Sequence, residues 1–299
     1  MFKDNKEFTI LLFALPSLLG LIVFFVIPFI ASIYLGMIDN PVGQNFVGLR
    51  HYIATINNRA FRLAFFNTVV FMLFSVGLGI VFSLSIAIML RFIGNQASNN
   101  THASLGIWGA SKSILATFFI LPLVVPSGSV VFFWHSVIGV NGTINRYFFY
   151  EEPVYWLATN WAFFIILVIF LWRSVGFSIV LFLAGLNLIP KEYYENATIE
   201  GAGPIRQFFS ITLVYLIPTI FLVVILSILQ SFRAFREIYL LTGPHPSNLN
   251  IYMLQHYLNN QFLNLNYQRM SAGSHIFILG IVVAVVGVII IKRWAINND

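Results

Sequence analysis

Residues 195–218 read ENATIEGAGPIRQFFSITLVYLIP, a polar island between two long apolar runs. Glu192, Glu195 and Glu200 lie in or beside it, three of only ten acidic residues in the chain. Pro190 can open a helix there, because the first turn needs no proline N–H. Lys191 to Glu200 then reads as a short helix, about 15 Å long at 1.5 Å per residue. Tyr194, Ala197 and Gly201 share a face by the three-and-four spacing, and that mostly small face lets another surface approach closely. Gly201, Gly203 and Pro204 break the helix and restart it. A short helix, a glycine bend and a second helix entering an apolar run predict a compact knob at a lipid surface.

Composition extends that reading to the whole chain. Its 299 residues are 59% hydrophobic and only 9% charged, against about 25% charged in a soluble domain. Most of the surface must therefore face lipid, and 32 phenylalanines fit that environment. The net charge of +6 is spread over single basic residues, with no cluster to follow a phosphate backbone, so nucleic acid is not an expected partner. Cysteine is absent, which excludes disulfides and thiol chemistry. The histidines show no metal-ligand spacing, and no metal site is expected. No Gly-Lys pair occurs, so the chain lacks the loop that cradles nucleotide phosphates and cannot hydrolyse ATP by that route.

A membrane span needs about 20 apolar residues. Six runs qualify, at 9–37, 64–90, 113–138, 161–188, 207–234 and 271–292. The chain is expected to be an all-α polytopic membrane protein, one transmembrane domain over 1–299. The first run exceeds the core of a signal peptide, about 7–15 residues, and reads as an uncleaved span. Residues 91–112 read as a polar tether, and Gly280 and Gly287 offer a small stripe for helix contact. Six spans put both termini on one side, together with Lys3, Lys6, Lys112, Lys191 and Lys292. Arg50, Arg59, Arg62, Arg146 and Arg269 fall on the other side, and the lysine bias favours the termini and the 190–206 loop in the cytoplasm.

At the polar island the chain resembles a known family. Glu195-x-Ala197-x-Ile199-Glu200-Gly201-Ala202, followed by Gln207-Phe208-Phe209, Ile211-Thr212-Leu213 and Pro218-Thr219, is similar to the "EAA" loop. That loop marks the membrane subunits of binding-protein-dependent ABC importers, in the carbohydrate branch. Asn196 and Val214 depart from the usual alanine and proline without changing the Glu-to-Gly spacing. FVGLRHY at 46–52, the prolines of Leu121-Pro122-Leu123-Val124-Val125-Pro126, WRSVGF at 172–177 and LTGPHP at 241–246 resemble further segments of these permeases. The resemblance implies that residues 190–206 form a coupling helix, with Glu195, Ala197, Ile199, Glu200, Gly201 and Ala202 docking into a cytoplasmic ATPase subunit. It implies as partners a second related permease chain, two ATPase subunits that bind the ATP, an extracellular solute-binding protein and a carbohydrate. The chain itself would hold no cofactor and would not be an enzyme.

Two groups of charged residues leave alternatives open. Arg173 sits inside the fourth run. It either serves transport, pairs within the bundle or snorkels to a nearby surface. Gln230, Ser231, Arg233 and Arg236 lie at the end of the fifth run, where maltose-type permeases contact substrate. Arginine there either reads an acidic sugar, pairs with the nearby Glu237 or snorkels as an interface anchor. A self-contained secondary transporter would need ionisable residues in the spans, and only Arg173 is evident. A membrane enzyme would need a clustered acid, base or metal site, and the spans show none.

Overall fold

The structure, a computed structural model, describes residues 2–99 and 118–297. Every regular element among them is a helix, and the only β pairing among the described residues is the isolated bridge Ile38–Phe46. Five of these helical segments are long and apolar enough to cross a membrane, and a bent pair makes up to six.

The first span runs as α1 (Phe2–Leu21), a π-helical turn (Ile22–Val26) and α2 (Ile27–Met37). Pro28 opens α2. Its missing N–H and its ring would strain the preceding turn, and the wider π turn absorbs that conflict. A short α3 (Arg50–Ile56) follows, and then α4 (Arg59–Asn99), which is 41 residues long. At 1.5 Å per residue α4 reaches about 60 Å, twice the hydrocarbon thickness of about 30 Å. The tether expected from residue 91 therefore begins as helix, because no proline stops the hydrogen-bond ladder before Asn99. Residues 100–112 of the tether and 113–117 of the third run lie outside the described residues.

The third span is broken. Helix α5 (Phe118–Val124) is followed by α6 (Ser127–Ile138), and it meets the helical stretch Ser127–Phe148 that α6 begins at a bend of 112°. Pro126 sits at the N-cap of α6 with φ −58° and ψ 144°, an extended conformation that ends one helix and starts the next. A short α7 (Thr143–Phe148) and α8 (Ala162–Asn187) follow. Within α7, buried Asn145 gathers the segments on either side of that helix. Its amide donates to the Gly139 and Val154 carbonyls, and its oxygen accepts from the Trp156 indole at 3.1 Å.

Helix α9 (Lys191–Ile199) leads to α10 (Pro204–Gln207), a π turn (Phe208–Thr212), α11 (Leu213–Ser231), a 3₁₀ turn (Phe232–Ala234) and α12 (Phe235–Thr242). The run Pro204–Thr242 is continuous apart from those two turns and extends eight residues past the end expected at 234. Glu237 thereby becomes part of a span-length helical run. Finally come α13 (Leu254–Leu263) and α14 (Tyr267–Asn297).

The chain divides into two compact units, one made of residues up to 63 with 257–280, the other of 64–256 with those from 281 onward. In the first, His275 of α14 is held on both ring nitrogens, by Ser32 and by the Tyr52 hydroxyl, each at 2.9 Å. In the second, α8 forms the centre, with Ile166, Ile179, Phe182 and Leu186 buried. It packs against α11 at Gly185, where an added Cβ would lie 2.6 Å from Thr219 Oγ1 and 2.9 Å from Leu216 Cδ2. At Gly176 the α5 backbone at Phe119 comes so close that a Cβ would overlap its carbonyl. Close glycine contacts therefore lie in α8 and, in the first unit, at Gly273, where an added Cβ would lie 2.9 Å from Leu258 Cδ2, while one at Gly287 would meet nothing within 4 Å.

Candidate functional site

The polar island folds as a rigid knob. Helix α9 is capped at its start by the extended Pro190, with Glu192 in the first turn where the helix dipole favours a negative charge. Its end is a Schellman motif. Gly201 adopts φ +79°, a left-handed conformation that costs other residues about 1 kcal/mol or more. The Ala202 N–H donates to the Ala197 carbonyl at 2.8 Å and the Gly201 N–H to the Thr198 carbonyl at 3.0 Å. Gly203 then caps α10, with Pro204 at its first position. The Gln207 amide locks both helices together, donating to Ala202 O at 2.9 Å and to Thr198 Oγ1 at 3.0 Å.

The face expected to receive another surface receives one from the same chain. Tyr194 and Ala197 are half-buried. The Tyr194 hydroxyl shares a 2.9 Å hydrogen bond with Thr212 at the base of the fifth span. The Arg91 guanidinium lies 5.3 Å from the centre of the Tyr194 ring and donates to its hydroxyl at 3.4 Å. This ties α9 to α4 at Arg91 and to the start of the span it precedes. Solvent meets the other side, where Glu195, Glu200 and Gly201 are exposed. Ile199 is 85% exposed and Ile205 76% exposed. Ala202 is half-buried at the bend. Two glutamates and two isoleucines of the knob are thus open to contact.

The second candidate group surrounds a cavity of about 280 Å³ between α5, α6, α8 and the end of the fifth span. Gln230, Arg233 and Arg236 line it, and so do Arg173, Glu237 and Ser127. Ser231 does not, because it is buried and its hydroxyl donates to the Ile228 carbonyl at 2.7 Å. The 3₁₀ turn at Phe232–Ala234 re-aims the helix face that follows it. Glu237 consequently reaches Arg173 rather than Arg233 or Arg236, and forms an ion pair with it. Ser127 completes a triangle, accepting from Arg173 and donating to Glu237, each at 2.9 Å. Of the readings open for Arg173, the structure selects the internal pair. Sequence spacing suggested Glu237 as a partner for its own helix neighbours. The actual partner is 64 residues away in the chain, beyond the reach of any local pattern. No group of histidine and carboxylate side chains that could hold a metal ion occurs among the described residues.

Comparison with known proteins places these features in context. The family model for the binding-protein-dependent transport system inner membrane component matches residues 104–296. The chain is 30% identical over 242 residues to the trehalose/maltose transport system permease protein of Thermococcus litoralis, covering 79% of this chain and 77% of that one. It is 30% identical over 292 residues to the arabinooligosaccharides transport system permease protein of Bacillus subtilis, covering 96% and 89%. Its fold is similar to a chain in the crystal structure of a bacterial ABC transporter involved in the import of the acidic polysaccharide alginate. The TM-score is 0.80 over 98% of both chains, at 19% identity.

Proposed function

The chain belongs to the family of binding-protein-dependent transport system inner membrane components, and from that premise we propose that it is the permease subunit of an ATP-driven carbohydrate importer. It forms half of a translocation pathway, with a second related permease chain supplying the other half. Two ATPase subunits sit on its cytoplasmic side, and an extracellular binding protein delivers the sugar. The observation that carries this reading is the α9–α10 knob, locked by Gly201 and Gln207 and joined through Tyr194 to Thr212.

The mechanism follows from that geometry. An ATPase surface contacts Glu195, Ile199, Glu200 and Gly201, while Ala197 and Ala202 hold the frame from within. Closure of the ATPase pair displaces α9. Because α9 is tied to α10 and Thr212, it cannot move without the base of the fifth span. The helical run then carries the displacement from Pro204 to Arg233, roughly 44 Å at 1.5 Å per residue. Gln230, Arg233 and Arg236 line the pathway at that far end. Both termini and the knob are cytoplasmic in this reading, which the lysine bias supports.

The experiment is affinity purification of the tagged chain from the membranes that make it. Recovery of an ATPase and a second permease in fixed proportion supports the proposal. A chain that transports alone, with no ATPase recovered, is instead a self-contained transporter.

A further inference from the structure

The charge around the 280 Å³ cavity is unbalanced. Three guanidinium groups, Arg173, Arg233 and Arg236, line it with one carboxylate, Glu237. That carboxylate is already engaged twice, by Arg173 and by the Ser127 hydroxyl. Arg233 and Arg236 have no carboxylate partner among the described residues, and both are exposed. They stand three residues apart within the helical run that ends at Thr242, and both line one cavity. Like charges held together near a bilayer are costly and mark function. A neutral sugar would be served by amide and hydroxyl groups alone, with no need for this arrangement.

We propose that the cavity reads a negative charge on the transported saccharide, a carboxylate of the uronate type, through Arg233 and Arg236. The planar fork of arginine matches two carboxylate oxygens with parallel hydrogen bonds, which a point charge cannot do. Gln230 on the same wall serves the sugar hydroxyls. The Arg173–Glu237–Ser127 triangle is the neutral floor of the site. It keeps Glu237 from turning to Arg233 or Arg236 and repelling the incoming acid. At about 280 Å³ the cavity is just smaller than most ligand pockets, which span about 300–1,000 Å³, so it receives one acidic sugar unit of a chain rather than the whole oligosaccharide. This inference rests on the importer reading above.

The test uses the assembled transporter with its binding protein, reconstituted in phosphatidylcholine vesicles with and without phosphatidylglycerol. A pectate digest supplies oligogalacturonates and an arabinan digest supplies neutral oligosaccharides, both in one mixture. Vesicle contents are then read by mass spectrometry after ATP is supplied. The native complex is expected to take up the acidic sugars. Arg233→Gln combined with Arg236→Gln should lower the acidic-to-neutral uptake ratio roughly ten- to hundredfold, the value of losing hydrogen bonds to a charged group. The corresponding Lys pair, which keeps the charge and loses the fork, should fall between. Size-exclusion profiles of the variant complexes show whether assembly survives. Uptake of neutral sugars alone by the native complex overturns the proposal and leaves the importer reading intact, as does an unchanged ratio in the Gln variant. A loss that follows phosphatidylglycerol content rather than sugar charge assigns the arginines to lipid headgroups and also overturns it. Absence of ATP-driven uptake of any sugar removes the importer reading itself.

Discussion

Tyr194 is the residue on which the knob turns inward. Its hydroxyl bonds to Thr212 and its ring lies under Arg91, so one side chain joins α9 to two spans. Tyr194→Phe deletes the hydrogen bonds and keeps the ring, a change of about 1 kcal/mol. Assembly is expected to survive, while sugar imported per ATP hydrolysed falls, measured in reconstituted vesicles. An unchanged ratio would show that the hydroxyl does not transmit motion. His256 makes a separate prediction. It is buried in α13 among Phe235, Tyr239 and Tyr252, and its Nδ1 accepts from the Met253 N–H at 3.1 Å. Burial, aided by nearby His245, lowers its pKa from 6.5 to about 4. The folded chain therefore keeps His256 neutral where the unfolded chain binds a proton. Stability should be full above pH 6.5, decline as pH falls from 6.5 toward about 4, and fall no further from this group below that. Thermal melting across pH 4–8 checks it, and His256→Gln should flatten the slope in that window. At this scale the sequence was legible where the signal was local. The Glu195-to-Gly201 spacing marked the knob, but nothing nearby in the chain announces that Arg173 belongs with Glu237.

At the scale of elements, the helix contacts that organise the second unit depend on missing side chains. Gly185 lets α8 and α11 approach until a Cβ would touch Thr219 and Leu216. Gly185→Leu should push the helices apart at a cost of about 1–3 kcal/mol, seen as a lower melting temperature of the purified complex. Gly287→Leu, where an added Cβ meets nothing within 4 Å, should leave it unchanged. Equal effects at both positions would contradict the packing described. These contacts were hard to read beforehand, because glycine spacing alone does not say which helix lies opposite. The proline break of the third span was easier, since Pro126 removes a donor and fixes its own backbone wherever it sits. The continuation of α4 to Asn99 is not legible from composition, because polarity without proline does not end a helix. The extension of the fifth span to Thr242 was hidden by its arginines, which look like a terminus and instead line a cavity.

For the whole molecule, sidedness is the first consequence of the account. The absence of cysteine allows single cysteines to be placed freely. Glu200→Cys and Tyr150→Cys both lie at exposed positions. An impermeant thiol reagent applied to intact cells should label position 150 and spare position 200. Labelling of position 200 from outside would reverse the orientation and place the knob away from any ATPase. The central claim is that the knob transmits ATP hydrolysis to the pathway through a fixed bend at Gly201. Proline cannot adopt φ +79° there and removes the N–H bound to Thr198. The most direct measurement is ATP-driven oligosaccharide uptake and ATP hydrolysis by the reconstituted complex carrying Gly201→Pro, beside the native complex at equal protein. The account predicts a variant that inserts and assembles but loses at least about tenfold in uptake and in sugar-stimulated hydrolysis, matching a disruption of about 1.4 kcal/mol or more. Native rates of both in an assembled Gly201→Pro complex would contradict it.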